Sequence, residues 1–92
     1  MRRSVNRPEY SQIVDYLLSL REKAKITQVE LASKLRWKQQ YISTIERKYR
    51  RMDLLQAAEY ARACGATMRE VGIAIDGILD VGSAKPRTAR SK

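Results

Sequence analysis

Hydrophobic residues along this chain recur at three- and four-residue spacings rather than in alternation, which is the pattern of helices with one buried face. Tyr10, Ile13, Val14, Leu17 and Leu18 form the clearest such stripe. It predicts a first helix from Pro8, a residue suited to a first turn, to about Ala24. Thr27 followed three residues later by Glu30 makes a capping box, and Leu31, Ala32 and Leu35 supply one face of a short second helix. After a break near Arg36, a third helix is expected from near Lys38 to Glu46 or Arg47, with Trp37, Ile42 and Ile45 as its apolar anchors. Asp53 can cap a fourth helix whose inward residues would be Leu55, Ala58, Ala61 and Cys64, ended by Gly65. Thr67 and Glu70 repeat the capping box, and Val71, Ala74, Ile75 and Ile78 predict a fifth helix. Gly72 and Gly77 weaken that helix by roughly 1 kcal/mol each relative to alanine.

The expected architecture is therefore all-α, a compact five-helix bundle. It divides into a basic arm at 1–7, a folded domain at 8–80 and a disordered basic tail at 81–92. The chain has 92 residues, 43 % of them hydrophobic. One domain of this size buries only about 60–65 % of its unfolded surface, so support from a second subunit is expected.

Charge changes the picture. The formal net charge is +9, and it is unevenly placed. Residues 34–51 hold Lys34, Arg36, Lys38, Arg47, Lys48, Arg50 and Arg51 against the single acid Glu46. The segments on either side are slightly acidic, and both chain ends are basic. Solvated tails explain basic ends but not a basic block inside the folded part, which is the footprint of phosphate neutralisation.

Other chemistries are poorly provided for. With no His and one Cys, a structural zinc site lacks ligands and an internal disulfide lacks a partner. The absent His, together with the lack of a glycine-rich phosphate loop, argues against an enzyme and against a cofactor. No apolar run approaches the ~20 residues of a membrane span, and no signal-peptide core follows Met1. The expectation is a cytoplasmic protein without metal or membrane. Cys64 reads as a small core residue.

The window 27–47 concentrates the function. Ala32 is small where two helices would cross closely, and the apolar anchors alternate with Gln39, Gln40, Ser43, Thr44 and Arg47. The third helix thus has a packed side and a side of amides, hydroxyls and a guanidinium. Such a side suits the major groove, where Gln can bond adenine, Arg guanine, and Thr a thymine methyl.

The run Thr27-Gln28-Val29-Glu30-Leu31-Ala32, with Gln39-Gln40-Tyr41-Ile42-Ser43-Thr44-Ile45-Glu46 after it, resembles the Cro/repressor-type (lambda-repressor-like) helix-turn-helix family over roughly residues 10–72. The resemblance implies a transcriptional regulator that binds duplex DNA as a homodimer on a pseudo-palindromic operator, with a recognition helix at about 38–47. It implies base readout by Gln39, Gln40, Thr44 and Arg47. It also implies phosphate contacts from Gln28, Lys38, Ser43, Lys48, Arg50 and Arg51, and an ion pair between Arg21 and Glu46. The family favours glycine at three turn positions that here hold Lys25, Arg36 and Lys48; left-handed backbone at each would cost on the order of 1 kcal/mol. Repression by occlusion and activation through RNA polymerase are both open.

Helix five carries more apolar surface than one core face needs. Val71, Ile73, Ile75 and Ile78 are the expected dimer contact. Arg2 or Arg3 could enter a minor groove. The rival reading is an antitoxin-like or other protein-interaction module with secondary DNA binding. A second rival is a basic protein that coats nucleic acid without sequence preference.

Overall fold

The computed structural model describes residues 7–81. Five helices follow one another: α1 (Pro8–Lys23), α2 (Gln28–Leu35), α3 (Gln39–Glu46), α4 (Leu54–Ala63) and α5 (Met68–Val81). The described residues contain no strand. The expected arm at 1–7, apart from Arg7, and the expected tail at 81–92, apart from Val81, which instead ends α5, lie outside the described residues.

Local chemistry explains the helix starts. Pro8 occupies the first turn of α1. Thr27 caps α2 in a full capping box with Glu30, and Asp53 caps α4 in the same way with Gln56. Thr67 accepts from the Glu70 backbone at 3.2 Å, and the Glu70 carboxylate accepts from the Thr67 backbone at 2.8 Å. Each box satisfies amide groups that a helix start leaves without partners.

The helix ends share one device. After α1, Lys25 N–H donates to Glu22 O and Ile26 N–H to Arg21 O. The same crossed pair follows α2 (Arg36 to Ser33, Trp37 to Ala32), α3 (Lys48 to Ile45, Tyr49 to Thr44) and α4 (Gly65 to Arg62, Ala66 to Ala61). This closure needs a left-handed residue at its corner. Gly65 meets that need freely at φ 89°, whereas Lys25, Arg36 and Lys48 adopt φ of 59°, 61° and 68°. The three basic residues therefore keep the turn geometry that glycine would favour, each under strain on the order of 1 kcal/mol. The residue after three of these corners is apolar and packs inward: Ile26 and Trp37 lie against the core, and Ala66 is inside it.

The core joins Leu17 of α1, Leu31 and Ala32 of α2, Ile42 of α3, Tyr60, Ala61 and Cys64 around α4, Ala66 of the turn after it and Val71 of α5. Two inward assignments need correction. Leu55 does not face in; it is 67 % exposed. The buried face of α4 runs through Ala57, Tyr60, Ala61 and Cys64, at helical spacing, about one residue's rotation from the face containing Leu55 and Ala58. Packing chose the face with two alanines and a ring over the face with the leucine, because α4 must lie close to both α1 and α2. Trp37 packs against the core from a half-buried position rather than within it.

Lys25→Gly is expected to raise stability by about 0.5–1 kcal/mol in urea unfolding. Relief of left-handed strain outweighs the extra freedom glycine has in the unfolded chain. A lower urea midpoint for the variant would show that the corner carries no net strain.

Candidate nucleic-acid interface

Helices α2 and α3 are joined by Arg36, Trp37 and Lys38. Ile42 and Ile45 are fully buried beneath α3, which turns its other side outward. Gln39, Gln40 and Arg47 are exposed, and Ser43 and Thr44 are partly so. Lys38 precedes the first turn of α3 and makes no side-chain cap. The Thr44 hydroxyl donates to Gln40 O at 2.7 Å, so its methyl and its oxygen lone pairs remain for a ligand.

Beneath this face runs a polar chain. Arg21 of α1 grips Glu46 with two bonds, Nε to Oε2 at 2.7 Å and Nη2 to Oε1 at 2.9 Å. Its third nitrogen donates to Ile26 O at 2.8 Å. The Tyr60 hydroxyl donates to Glu46 Oε2 at 2.6 Å, and Gln28 Nε2 donates to Glu46 Oε1 at 2.8 Å. Gln39 Nε2 then donates to Gln28 Oε1 at 2.7 Å. The Glu46 and Arg21 side chains are only 6 % and 14 % exposed. Burial pushes the Glu46 carboxyl up, but hydrogen bonds from Arg21, Tyr60 and Gln28 more than reverse this and hold it below its ordinary range. The bond to Glu46 raises Arg21 further, so the pair is fully ionised near neutrality. Burial, then the bond to Glu46, keeps Tyr60 a hydroxyl donor well above the usual tyrosine range.

The loop after α3 is organised by stacking. Arg47 lies over the Tyr49 ring at 5.1 Å, Arg50 over Tyr41 at 5.3 Å and Arg51 over Tyr10 at 5.0 Å. Tyr41 meets Trp37 edge-on with centroids 5.5 Å apart, and the Tyr10 hydroxyl accepts from the Met52 N–H at 3.0 Å. A guanidinium held over an aromatic ring is restrained by cation–π attraction. Lys48 differs from these arginines: its ammonium pairs with Asp15 of α1 at 2.8 Å and is 27 % exposed. It ties the loop to the bundle.

A family model of helix-turn-helix type matches residues 17–71. The chain belongs to the helix-turn-helix family. That match begins in α1, ends at the start of α5 and takes in the whole of α2, α3 and α4, and the lambda-repressor/Cro-like, all-α fold agrees with it. The domain is a DNA-binding helix-turn-helix regulator. Neither the curated proteins nor the solved structures returned a match. No helix among the described residues is long and apolar enough to cross a membrane.

The helix-turn-helix brings Gln28, Gln39, Gln40, Ser43 and Thr44 together around α3, with Arg50 against Tyr41 of the same helix and Arg51 over Tyr10 of α1. One dimer assignment is overturned: Val71 is 1 % exposed within this chain's own core, so it has no surface left for a partner. Ile75 packs half-buried on the same core, while Ile73 is 68 % and Leu79 54 % exposed. The stripe on α5 mixed core and surface residues because its apolar arc is wider than the buried face. Sequence reasoning missed Tyr60, Asp15 and the stacking tyrosines. For Tyr60 the signal was present in the spacing Ala57, Tyr60, Ala61, Cys64. For Asp15–Lys48 and the Arg–Tyr stacks, no spacing along the chain indicates contacts made between elements.

Glu46 supplies a pH signature. Its carboxyl is lowered on folding from an ordinary value of 4.5. Its stabilisation is therefore present above pH 4.5 and fades as pH falls through the lower folded value. Unfolding of wild type and Glu46→Gln, compared from about pH 7 to about pH 3, should show a stability gap that narrows below pH 4.5. A gap independent of pH would mean the carboxylate is not held ionised by its partners.

Proposed function

We propose that this protein is a sequence-specific transcriptional regulator that binds a pseudo-palindromic operator as a homodimer, with α3 in the major groove. One observation carries the reading: Gln39 is exposed at the start of α3 and tethered through its nitrogen to Gln28. Its oxygen and second N–H stay free, the acceptor–donor pair that matches adenine N6 and N7. Gln40 and Thr44 lie on the same outward side, and Arg47 closes it at the end of the helix. Phosphate contacts fall to Gln28, Lys38, Ser43, Arg50 and Arg51. Lys48 adds charge to that field while bound to Asp15.

Dimerisation is assigned to the outer side of α5, around Ile73 with Ile78 and the edge of Ile75. A two-fold pair must set its recognition helices about 34 Å apart to enter successive major grooves. Occlusion of a promoter and contact with RNA polymerase both suit a regulator with this small DNA-reading domain. A protein-interaction role is favoured by one feature: Leu54 and Leu55 are exposed beside a groove lined by Leu35, Ala58 and Met68.

Selection of bound duplexes from a random pool tests the proposal. A symmetric motif with halves one helical turn apart supports it. No enriched motif, with a partner protein copurifying in equal amount, supports the interaction reading. Equal, steeply salt-dependent affinity for selected and random duplex would mean phosphate contact alone.

Gln39→Ala and Gln40→Ala should each weaken binding to the selected site by ~1–3 kcal/mol and relax base preference at one position. Unchanged discrimination removes that residue from readout. Arg50→Ala should weaken binding to every sequence and reduce the salt slope by about 1; a loss confined to particular bases would contradict a phosphate role.

A further inference from the structure

We propose that Tyr60, a core residue of α4, is a positioning residue for base readout: Glu46 sets which polar end of Gln39 is offered to the DNA, and Tyr60 fixes where that end is held. This rests on the reading that Gln39 contacts bases.

The argument begins with a carboxylate that can only accept. Glu46 has four lone-pair sites and four donors fill them. Oε2 receives Arg21 Nε and the Tyr60 hydroxyl, and Oε1 receives Arg21 Nη2 and Gln28 Nε2. Gln28 must therefore approach nitrogen-first, which turns its oxygen toward Gln39. Gln39 must in turn meet that oxygen with its own nitrogen, at 2.7 Å. The donor–acceptor sense of two neutral amides, each able to flip end for end at little cost, is thus inherited from one buried charge. What emerges at the surface is an oxygen with both lone pairs and a single N–H.

Tyr60 is the member of this chain that comes from the core. It is 1 % exposed, among apolar neighbours. A phenylalanine would fill the same space without desolvating a hydroxyl, so the hydroxyl is explained by what it holds. Its bond takes the remaining seat on Oε2 and leaves Gln28 only Oε1. Deleting it opens a second seat inside the protein, to which Gln28 or a water can be drawn; Gln28 still donates, but from two positions, and the single placement passed to Gln39 is lost.

The test uses the full chain, ¹⁵N-labelled, first without DNA. In Tyr60→Phe the backbone spectrum away from residue 60 should persist, while the side-chain NH₂ groups of Gln28 and Gln39 move from ordered values toward the flexible range below about 0.6. On the selected duplex, preference for the base read by Gln39 should fall about fivefold with affinity for random duplex unchanged. A folded Tyr60→Phe whose Gln39 amide is as ordered as in the wild type overturns the proposal. Should Tyr60→Phe not fold, Glu46→Gln decides. It keeps the side chain's size but can donate, so two orientations of Gln28 and Gln39 are expected, and one unchanged orientation overturns the proposal. Gln39→Ala separates the two layers. Intact base preference in that variant defeats readout by Gln39 and this proposal with it. Preference lost there but kept in Tyr60→Phe defeats the positioning role alone.

Discussion

The saturation of one buried carboxylate organises this molecule. Glu46 sits at the end of α3 and is held by α1 through Arg21, by α2 through Gln28 and by α4 through Tyr60. Removing a single partner from such a site leaves an uncompensated charge or an unsatisfied polar atom, which is why buried ion pairs resist piecemeal change. Apolar contacts from Ile42 and Ile45 seat α3 on the bundle, but they tolerate small rotations. Hydrogen bonds with direction do not, and here they converge on the helix that faces outward.

Strain and charge are combined in the turns. Three of the four left-handed corners carry Lys25, Arg36 and Lys48 rather than glycine. Each gives up some stability in return for a positive charge. Arg36 and Lys48 lie within the basic segment that bounds α3 on both sides. Lys48 also recovers an ion pair with Asp15. The bundle can carry this strain because its core is joined across all five helices.

The loop after α3 shows a second form of preorganisation. Long arginine side chains lose considerable rotamer freedom when they bind phosphate. Placement over Tyr49, Tyr41 and Tyr10 restrains the guanidinium groups of Arg47, Arg50 and Arg51. Part of the ordering is thus completed before any ligand arrives.

Helix number, helix starts and the outward amides were legible along the chain. These depend on interactions within four residues: the Thr27–Glu30 and Thr67–Glu70 boxes, the Asp53 cap, and the three- and four-residue stripes of α1 and α3. The left-handed corners were legible as departures from the pattern of the family that the motif resembles. Which arc of a helix becomes buried was not a local matter. In α4 the alanine–tyrosine face won over the face with Leu55 because close approach to α1 and α2 set its rotation, and in α5 Val71 went to the core while Ile73 stayed outside because α5 packs on α1 and α4. Likewise, only the folded bundle could bring residue 60 to residue 46 and residue 48 to residue 15. Periodicity records which residues share a face, but contact between faces is decided by how helices pack.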